Sequence, residues 1–283
     1  MVNKKVIIRI IGLFLGVICV LFLDQATAET FKTNHYEFSA GMMWQYNKQE
    51  KETINAFVLR LDDIWSSVNL LCNNELPPKI RISVEREGRL SIPLREENKI
   101  LMNSIKIKYG LRDCLTIIAH ETTHIGYYKI SNGRITDWEN RFLDEGIAMY
   151  AMYPYEPDVA DKKTLSFRIA KTDFKNGKAS LNYLRDWKNN VQDKLVAFSN
   201  SWRLKNPNKE PSLDDELNAG VNSYYTSLVL IEYLLDTYGL PKLVSAIRNI
   251  GKGDSQSKAF QCAFGKNIEE IFAEWHAFLN NSK

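Results

Sequence analysis

The spacing of hydrophobic positions changes along the chain, and this spacing predicts the secondary structure. Apolar residues recur every three or four positions in some segments, which is typical of amphipathic helices, and alternate in others, which is typical of strands. The predicted helices cover about residues 50–72, 111–128, 220–238 and 267–280, and the predicted extended segments cover 29–48 in part, 79–84 and about 90–102.

This order of elements predicts an α+β protein that is predominantly helical. We expect residues 29–110 to form a small N-terminal α/β subdomain and residues 161–283 to form a helical C-terminal subdomain. Residues 111–160 lie between them and are expected to form two helices that carry the candidate site. The two parts are expected to share one cleft.

The first 28 residues have the pattern of a signal peptide. A basic start at Lys4 and Lys5 precedes an unbroken apolar run of 14 residues, 10–23, which is short for a membrane span. Small residues at Ala26 and Ala28 are suited to cleavage before Glu29. This pattern predicts a secreted or extracytoplasmic protein without a stable membrane span after cleavage; an uncleaved anchor is the alternative.

Composition and charge favour an ordinary globular protein. Hydrophobic residues make up 45% of the chain and charged residues 25%. The net charge is +3, and about two of these charges belong to the N-terminal 28 residues. Because so little positive charge remains, we expect no broad attraction to nucleic acid or to an anionic membrane.

Three cysteines follow the N-terminal segment, too few for a disulfide scaffold. A bridge between Cys72 and Cys114 is possible in an oxidising compartment. Cys262 lies among apolar residues, so we expect it to be buried and to have no catalytic role.

Residues 120–124, His-Glu-Thr-Thr-His, carry the clearest chemical signal. Residues four positions apart lie on one face of a helix, so His120 and His124 can bind one metal ion. Glu121 lies beside the first of these ligands and can act on a water molecule there. The chain has only four histidines, which makes a chance occurrence of this spacing improbable. The pattern predicts a zinc site; an amphipathic helix with two incidental histidines is the alternative.

The next helix is expected to supply a third ligand. Thr136 and Glu139 have the spacing of a capping box, which predicts that this helix starts near Asp137. Residues 142–148 of this helix, Phe-Leu-Asp-Glu-Gly-Ile-Ala, contain two adjacent acidic side chains, Asp144 and Glu145.

Glu145 is expected to point inward from this helix. It shares a face with Trp138, Phe142 and Met149, which are apolar, and Asp144 is expected beside Asn140 on a more polar side. A buried carboxylate is costly unless it has a partner, and a zinc ion would be one. A buried salt bridge unrelated to metal binding is the alternative.

These motifs resemble those of the gluzincin metallopeptidases, in particular the peptidase MA-like branch. The resemblance rests on residues 118–124, on residues 142–150 with their Glu-Gly pair, and on C-terminal helices at 224–239 and 264–275. It implies a zincin-like core, with His120, His124 and Glu145 as zinc ligands and Glu121 as general base. Thermolysin-like members have an acidic residue four positions after the glutamate ligand, where this chain has Met149. The residue that orients one of the histidines is therefore not identified.

The resemblance also implies that a Tyr or His from the helical C-terminal part stabilises the oxyanion that forms during hydrolysis. Tyr224 is the candidate, with Tyr225 as its rival, although Tyr224 also falls on an apolar helical face typical of core residues. The function expected is that of a secreted zinc peptidase acting on peptides or proteins. The alternatives are a noncatalytic extracellular binding module that keeps a zinc-bound fold and a cell-envelope enzyme acting on another amide or an ester.

Overall fold

The computed structural model describes residues 29–85, 91–205 and 217–282. The predicted signal peptide, residues 1–28, lies outside the described residues. Among the residues that are described, no helix combines the length and the apolar character needed to cross a membrane.

The described part of the chain is mostly helical with one mixed sheet of five strands, which confirms the α+β class. The strands are β1 Glu29–Lys32, β2 Tyr36–Gly41, β3 Ile80–Glu85, β4 Ile92–Leu94 and β5 Lys99–Asn103. The α-helices before the C-terminal part are α1 Lys48–Val58, α2 Leu61–Leu71, α3 Ile105–Tyr109, α4 Leu111–Ile130 and α5 Arg141–Tyr150. The later ones are α6 Val159–Lys175, α7 Leu181–Arg185, α8 Asp193–Lys205, α9 Asn222–Tyr238, α10 Leu240–Gly251, α11 Gln256–Phe264 and α12 Ile268–Asn281.

The sheet has the strand order β1-β2-β3-β5-β4. Its three central strands, β2, β3 and β5, are parallel, and the outer strands β1 and β4 are antiparallel to their neighbours. In the centre, Phe38 pairs with Ile82, which pairs with Ile100, and these three side chains are buried. The alternation predicted for residues 79–84 is therefore that of a strand with a buried face.

The helical periodicity of residues 50–72 is confirmed, but it belongs to two helices. Ile54 and Phe57 of α1 and Ile64 and Val68 of α2 are all buried. The chain turns between the two helices, where Leu59 is left largely exposed. The same apolar spacing thus serves two consecutive helices that both pack their inner faces against the core.

The helix α4 crosses the molecule beside the sheet. Its residue Thr122 shares a hydrogen bond of 2.9 Å with the buried Tyr36 hydroxyl of β2, and the Tyr127 hydroxyl donates to the Leu71 carbonyl at the end of α2. The middle turns of the helix are almost completely buried. These contacts fix the orientation of the helix that carries the His pair.

Two expectations about this part of the chain are wrong, the first of them in part. The start near Asp137 is wrong only for the α-helical part of α5, which begins at Arg141; a 3-10 turn, Trp138–Asn140, with Asp137 at its N-cap position leads directly into it. The expected capping box is not formed. The Thr136 hydroxyl donates to the Gly133 carbonyl, so it is not part of a capping box. Thr136 and Glu139 have the sequence spacing of a capping box but do not form its reciprocal hydrogen bonds.

The cysteines also differ in part from expectation. Cys72 and Cys114 are buried as free thiols, so the possible bridge between them is not formed. Cys262 is exposed, which contradicts the expected burial. It lies on α11, whose inward face is formed by Ala259, Phe260 and Phe264, and the apolar residues around Cys262 in sequence therefore turn away from it.

Candidate metal centre

Three side chains from two helices meet at one point. The Nε2 atoms of His120 and His124, both on α4, lie 3.1 Å apart. The Oε2 atom of Glu145 on α5 lies 3.4 Å from the first and 3.5 Å from the second. The three residues form a group whose ligand atoms could hold one metal ion.

The edges of this triangle are close to those of a tetrahedral metal site. Tetrahedral ligands at the usual Zn–N and Zn–O lengths of about 2.0–2.2 Å are separated from one another by about 3.3–3.5 Å. The two separations that involve Glu145, 3.4 and 3.5 Å, fall in this range, and that between the two imidazole nitrogens, 3.1 Å, is slightly shorter. Two imidazoles and one carboxylate are also the donor set of many catalytic zinc sites, which keep a fourth position for water. The residues present therefore fit the ion that the motif implies.

Burial differs among the three side chains. Those of His124 and Glu145 are 3–4% exposed, whereas that of His120 is 13% exposed. Of the three side chains, that of His120 therefore has the greatest contact with solvent. Glu145 is buried as the inward-face argument expects, although Trp138 is not on that face: it lies outside α5 and is 46% exposed.

The position of Asp144 contradicts the expectation of a polar outer side. Asp144 is 1% exposed, and its Oδ1 accepts a hydrogen bond from His124 Nδ1 at 2.8 Å. Asn140, its expected neighbour on that side, is also buried: it donates to the Arg134 carbonyl and accepts from Gln256. Because α5 is covered on both sides, a polar residue on it need not face solvent.

Two arginines complete the charge arrangement. Arg141, at the start of α5, donates to Asp144 Oδ2 at 2.6 Å and to Glu145 Oε1. Arg95, just after β4, reaches the same Asp144 oxygen at 3.3 Å. Sequence reasoning missed Asp144, Arg141 and Arg95. The spacing of Arg141 relative to two acids three and four residues later is a helical ion-pair signal, whereas nothing local indicates Arg95.

The pKa values in the cluster follow from burial and neighbouring charge. Burial alone would lower the pKa of His124, but the carboxylates of Asp144 and Glu145 raise it to about 9. Burial would raise the pKa of Glu145, yet His124 and Arg141 hold it well below its usual range. The carboxylates are thus ionised and favour a cation between them and the imidazoles.

Glu121 lies in a different environment from Glu145. It is 5% exposed, and burial raises its pKa, an effect that His120 and His124 partly offset. Arg95 and Glu145 are also close enough for their charges to act on it. A carboxylate with a raised pKa takes up and releases protons nearer to neutral pH, which suits a general base.

Tyr224 lies near the cluster, in the first turn of α9. Burial raises its pKa first, and the charge of Glu145 raises it further, while that of Arg141 lowers it. Its ring packs edge-on against Trp187 at a centroid distance of 5.1 Å. Tyr224 is thus both partly packed into the core and electrostatically coupled to the candidate ligand.

Gly146, which directly follows Glu145, lies where there is no space for a larger side chain. A Cβ atom at Gly146 would lie 2.7 Å from the Ser227 carbonyl oxygen of α9. Only glycine lets α5 approach the α9 backbone this closely. The Glu-Gly pair therefore combines a candidate ligand with the contact that places its helix.

No protein-family model matches this chain, and no match is found among the curated proteins or the solved structures. The gluzincin resemblance accordingly rests on the motif residues and stays a prediction.

Proposed function

We propose that this protein is a secreted zinc-dependent peptidase of the gluzincin type, with a zincin-like core. The observation that carries the proposal is the triangle of His120, His124 and Glu145 ligand atoms, with edges of 3.1–3.5 Å, beside the buried Glu121. A structural salt bridge would not require three ligand atoms at the separations of a tetrahedral metal site.

His120, His124 and Glu145 would hold the ion. When bound, zinc acts as a Lewis acid that polarises a carbonyl oxygen and makes water more acidic. Because His124 Nδ1 donates a hydrogen bond to Asp144, the Nε2 atom is the one that faces the other two ligand atoms and would bind the ion once it has lost its proton. The protein thus sets which nitrogen of His124 can act as a ligand.

Glu121 would move the protons. Its carboxylate accepts a proton from the attacking water and passes it to the leaving amine as the peptide bond breaks. Burial serves this role because it raises the pKa of the carboxyl. Metal binding alone does not require a carboxylate at this position, so Glu121 favours a catalytic site over a purely structural one.

Tyr224 is the proposed donor to the oxyanion that develops on the attacked carbonyl. A phenol whose pKa is raised stays protonated at neutral pH and can donate a hydrogen bond. Its coupling to Glu145 and Arg141 favours it over a residue remote from the cluster. Tyr225, one position on, is its rival.

The deciding experiment measures zinc and proteolysis on the same preparations. We expect purified wild-type protein to contain one zinc ion per chain by elemental mass spectrometry and to cleave members of a mixed peptide pool. Glu121→Gln should keep the zinc and lose at least about 100-fold in rate, the usual contribution of a general base. Glu139→Gln, an exposed substitution of the same kind, should change neither.

The other outcomes are distinct. Zinc without hydrolysis of peptides, amides or esters would point to a binding module, and cleavage restricted to non-peptide bonds would point to another hydrolase. Active protein without metal would refute the proposal. Secretion is checked separately by N-terminal sequencing of the mature protein, which should begin at Glu29.

A further inference from the structure

One guanidinium group holds two acidic side chains of the candidate centre. Arg141 Nη1 donates to Asp144 Oδ2 at 2.6 Å, and Arg141 Nη2 donates to Glu145 Oε1. The three residues lie within one turn of α5, at spacings of three and four. A planar guanidinium can make both bonds at once because its donors are fixed in a fork.

In each of the two carboxylates, one oxygen therefore accepts from Arg141 and the other faces an imidazole. Glu145 gives Oε1 to Arg141 and keeps Oε2 at 3.4–3.5 Å from the two imidazole Nε2 atoms. Asp144 gives Oδ2 to Arg141 and keeps Oδ1 at 2.8 Å from His124 Nδ1. Arg141 therefore touches one candidate ligand directly and acts on a second, His124, through Asp144.

The charge of Arg141 has two opposite consequences for the centre. It pairs with two adjacent buried carboxylates, which accounts for its place in the metal-free protein. A positive charge close to a metal site also repels an incoming ion, so charge alone would make Arg141 unfavourable for metal binding. Its side chain is only 17% exposed, which limits screening by solvent.

We propose that Arg141 is a positioning residue of the candidate zinc centre, which holds Glu145 as a ligand with one oxygen and Asp144 as the acceptor for His124. This inference rests on the proposed function. Without the fork, Glu145 is free to turn both oxygens towards the ion or to leave it. The geometric effect then outweighs the gain from removing a positive charge, and zinc binds more weakly.

Arg95 is a matched control. It reaches the same Asp144 oxygen, at 3.3 Å, and its side chain is 19% exposed, close to the value for Arg141. Within the described residues its ion pair is with Asp144 and does not include Glu145. Removing Arg95 therefore removes the same positive charge near the candidate centre, but the contact between Arg141 and Glu145 is retained.

The experiment compares zinc affinity in four variants by competition with a chromophoric chelator at constant pH and salt. Arg141→Met should weaken zinc binding 10- to 100-fold, the usual effect of losing a residue that orients a ligand. Arg95→Met should bind within about 3-fold of wild type or more tightly. Zinc-edge X-ray absorption should also show a changed oxygen coordination in Arg141→Met and an unchanged one in Arg95→Met.

The pair Arg141→Lys and Arg95→Lys keeps the charge and removes the fork. Folding is checked by far-ultraviolet circular dichroism and by a cooperative thermal transition. If Arg141→Met does not fold, the two lysine variants provide the test. We expect Arg141→Lys to lose affinity and Arg95→Lys to keep it. Equal effects at the two positions, or tighter binding in both Arg141 variants, would overturn the inference. A wild-type protein that binds no zinc would refute the proposed function itself, and with it this role.

Discussion

Asp144 Oδ1 accepts a hydrogen bond from His124 Nδ1 at 2.8 Å, and both side chains are buried. This contact holds the proton on Nδ1 when the imidazole is neutral, so that Nε2 is the nitrogen directed at His120 and Glu145. A carboxylate in this position also makes the imidazole a stronger donor to a metal. The residue that orients the second histidine is thus the direct neighbour of the third candidate ligand.

Replacing this carboxylate should weaken metal binding without removing a ligand. Asp144→Asn keeps an oxygen that can accept from His124 but loses the charge that pairs with Arg141. We expect zinc affinity to fall about 10- to 100-fold by competition titration. Asp63→Asn, which removes an acid that is 61% exposed, is the control and should leave affinity unchanged. Equal losses in the two variants would rule out the orienting role.

The stability of the metal-free protein should depend on pH through His124. Its folded-state pKa is about 9, above the value of about 6.5 for an unfolded histidine. The folded state binds this proton more tightly, so the stabilisation is complete below about pH 6.5 and is lost as the pH rises through 9. The free energy of unfolding should fall by about 3 kcal/mol across this window, measured by urea denaturation in the presence of a chelator.

Zinc should reverse this trend, because the metal binds the unprotonated imidazole. The stability gained on adding zinc should therefore increase between pH 6.5 and 9. In Asp144→Asn the fall seen for the metal-free protein should be smaller, since the largest charge that raises the pKa of His124 is gone. A metal-free protein with constant stability over this range would contradict the assigned ion pair.

Tyr224→Phe should separate catalysis from metal binding. Phenylalanine keeps the edge-on contact with Trp187 and removes only the hydroxyl. We expect kcat for peptide cleavage to fall about 100- to 1000-fold, as for other oxyanion donors, with zinc affinity unchanged. Tyr225→Phe is the matched control, and a loss confined to that variant would assign the role to the rival.

Gly146→Ala should disturb both the fold and the centre. The added Cβ would lie 2.7 Å from the Ser227 carbonyl oxygen and would push α5 away from α9. We expect a loss of about 1–3 kcal/mol in the free energy of unfolding, together with weaker zinc binding because Glu145 is displaced. Gly251→Ala meets the Ser131 backbone at 2.6 Å and should lose stability with less effect on zinc. Similar zinc affinities in the two variants would argue against the α5–α9 contact as the support of the ligand.

Much of the fold could be predicted because its signals lie within single elements. Alternation of apolar residues identified β3, and helical spacing identified the buried positions of α1 and α2, including Ile54 and Val68. Helix boundaries were less predictable. The helical segment begins after Asp137 as a 3-10 turn, and its α-helical part begins only at Arg141. Thr136 bonds to the Gly133 carbonyl and does not cap the helix.

The burial of Asp144 and the exposure of Cys262 show where local pattern fails. Which side of a helix is buried depends on the elements packed against it, and α5 is covered on two sides while α11 is covered on one. Arg95 is 49 positions from Asp144, a separation at which no periodicity carries information. These features can be identified only from the tertiary structure.

The sequence by itself determined that His120 and His124 lie one turn apart beside Glu121, because the helical repeat places residues four apart on one face. It also indicated Glu145 through its inward face. Only the tertiary structure decided that Glu145 reaches the histidines, that Asp144 orients one of them, and that Arg141 holds both acids. The physical reason is that one helix sets its own side-chain spacing, whereas distances between helices are set by packing, such as the close approach at Gly146.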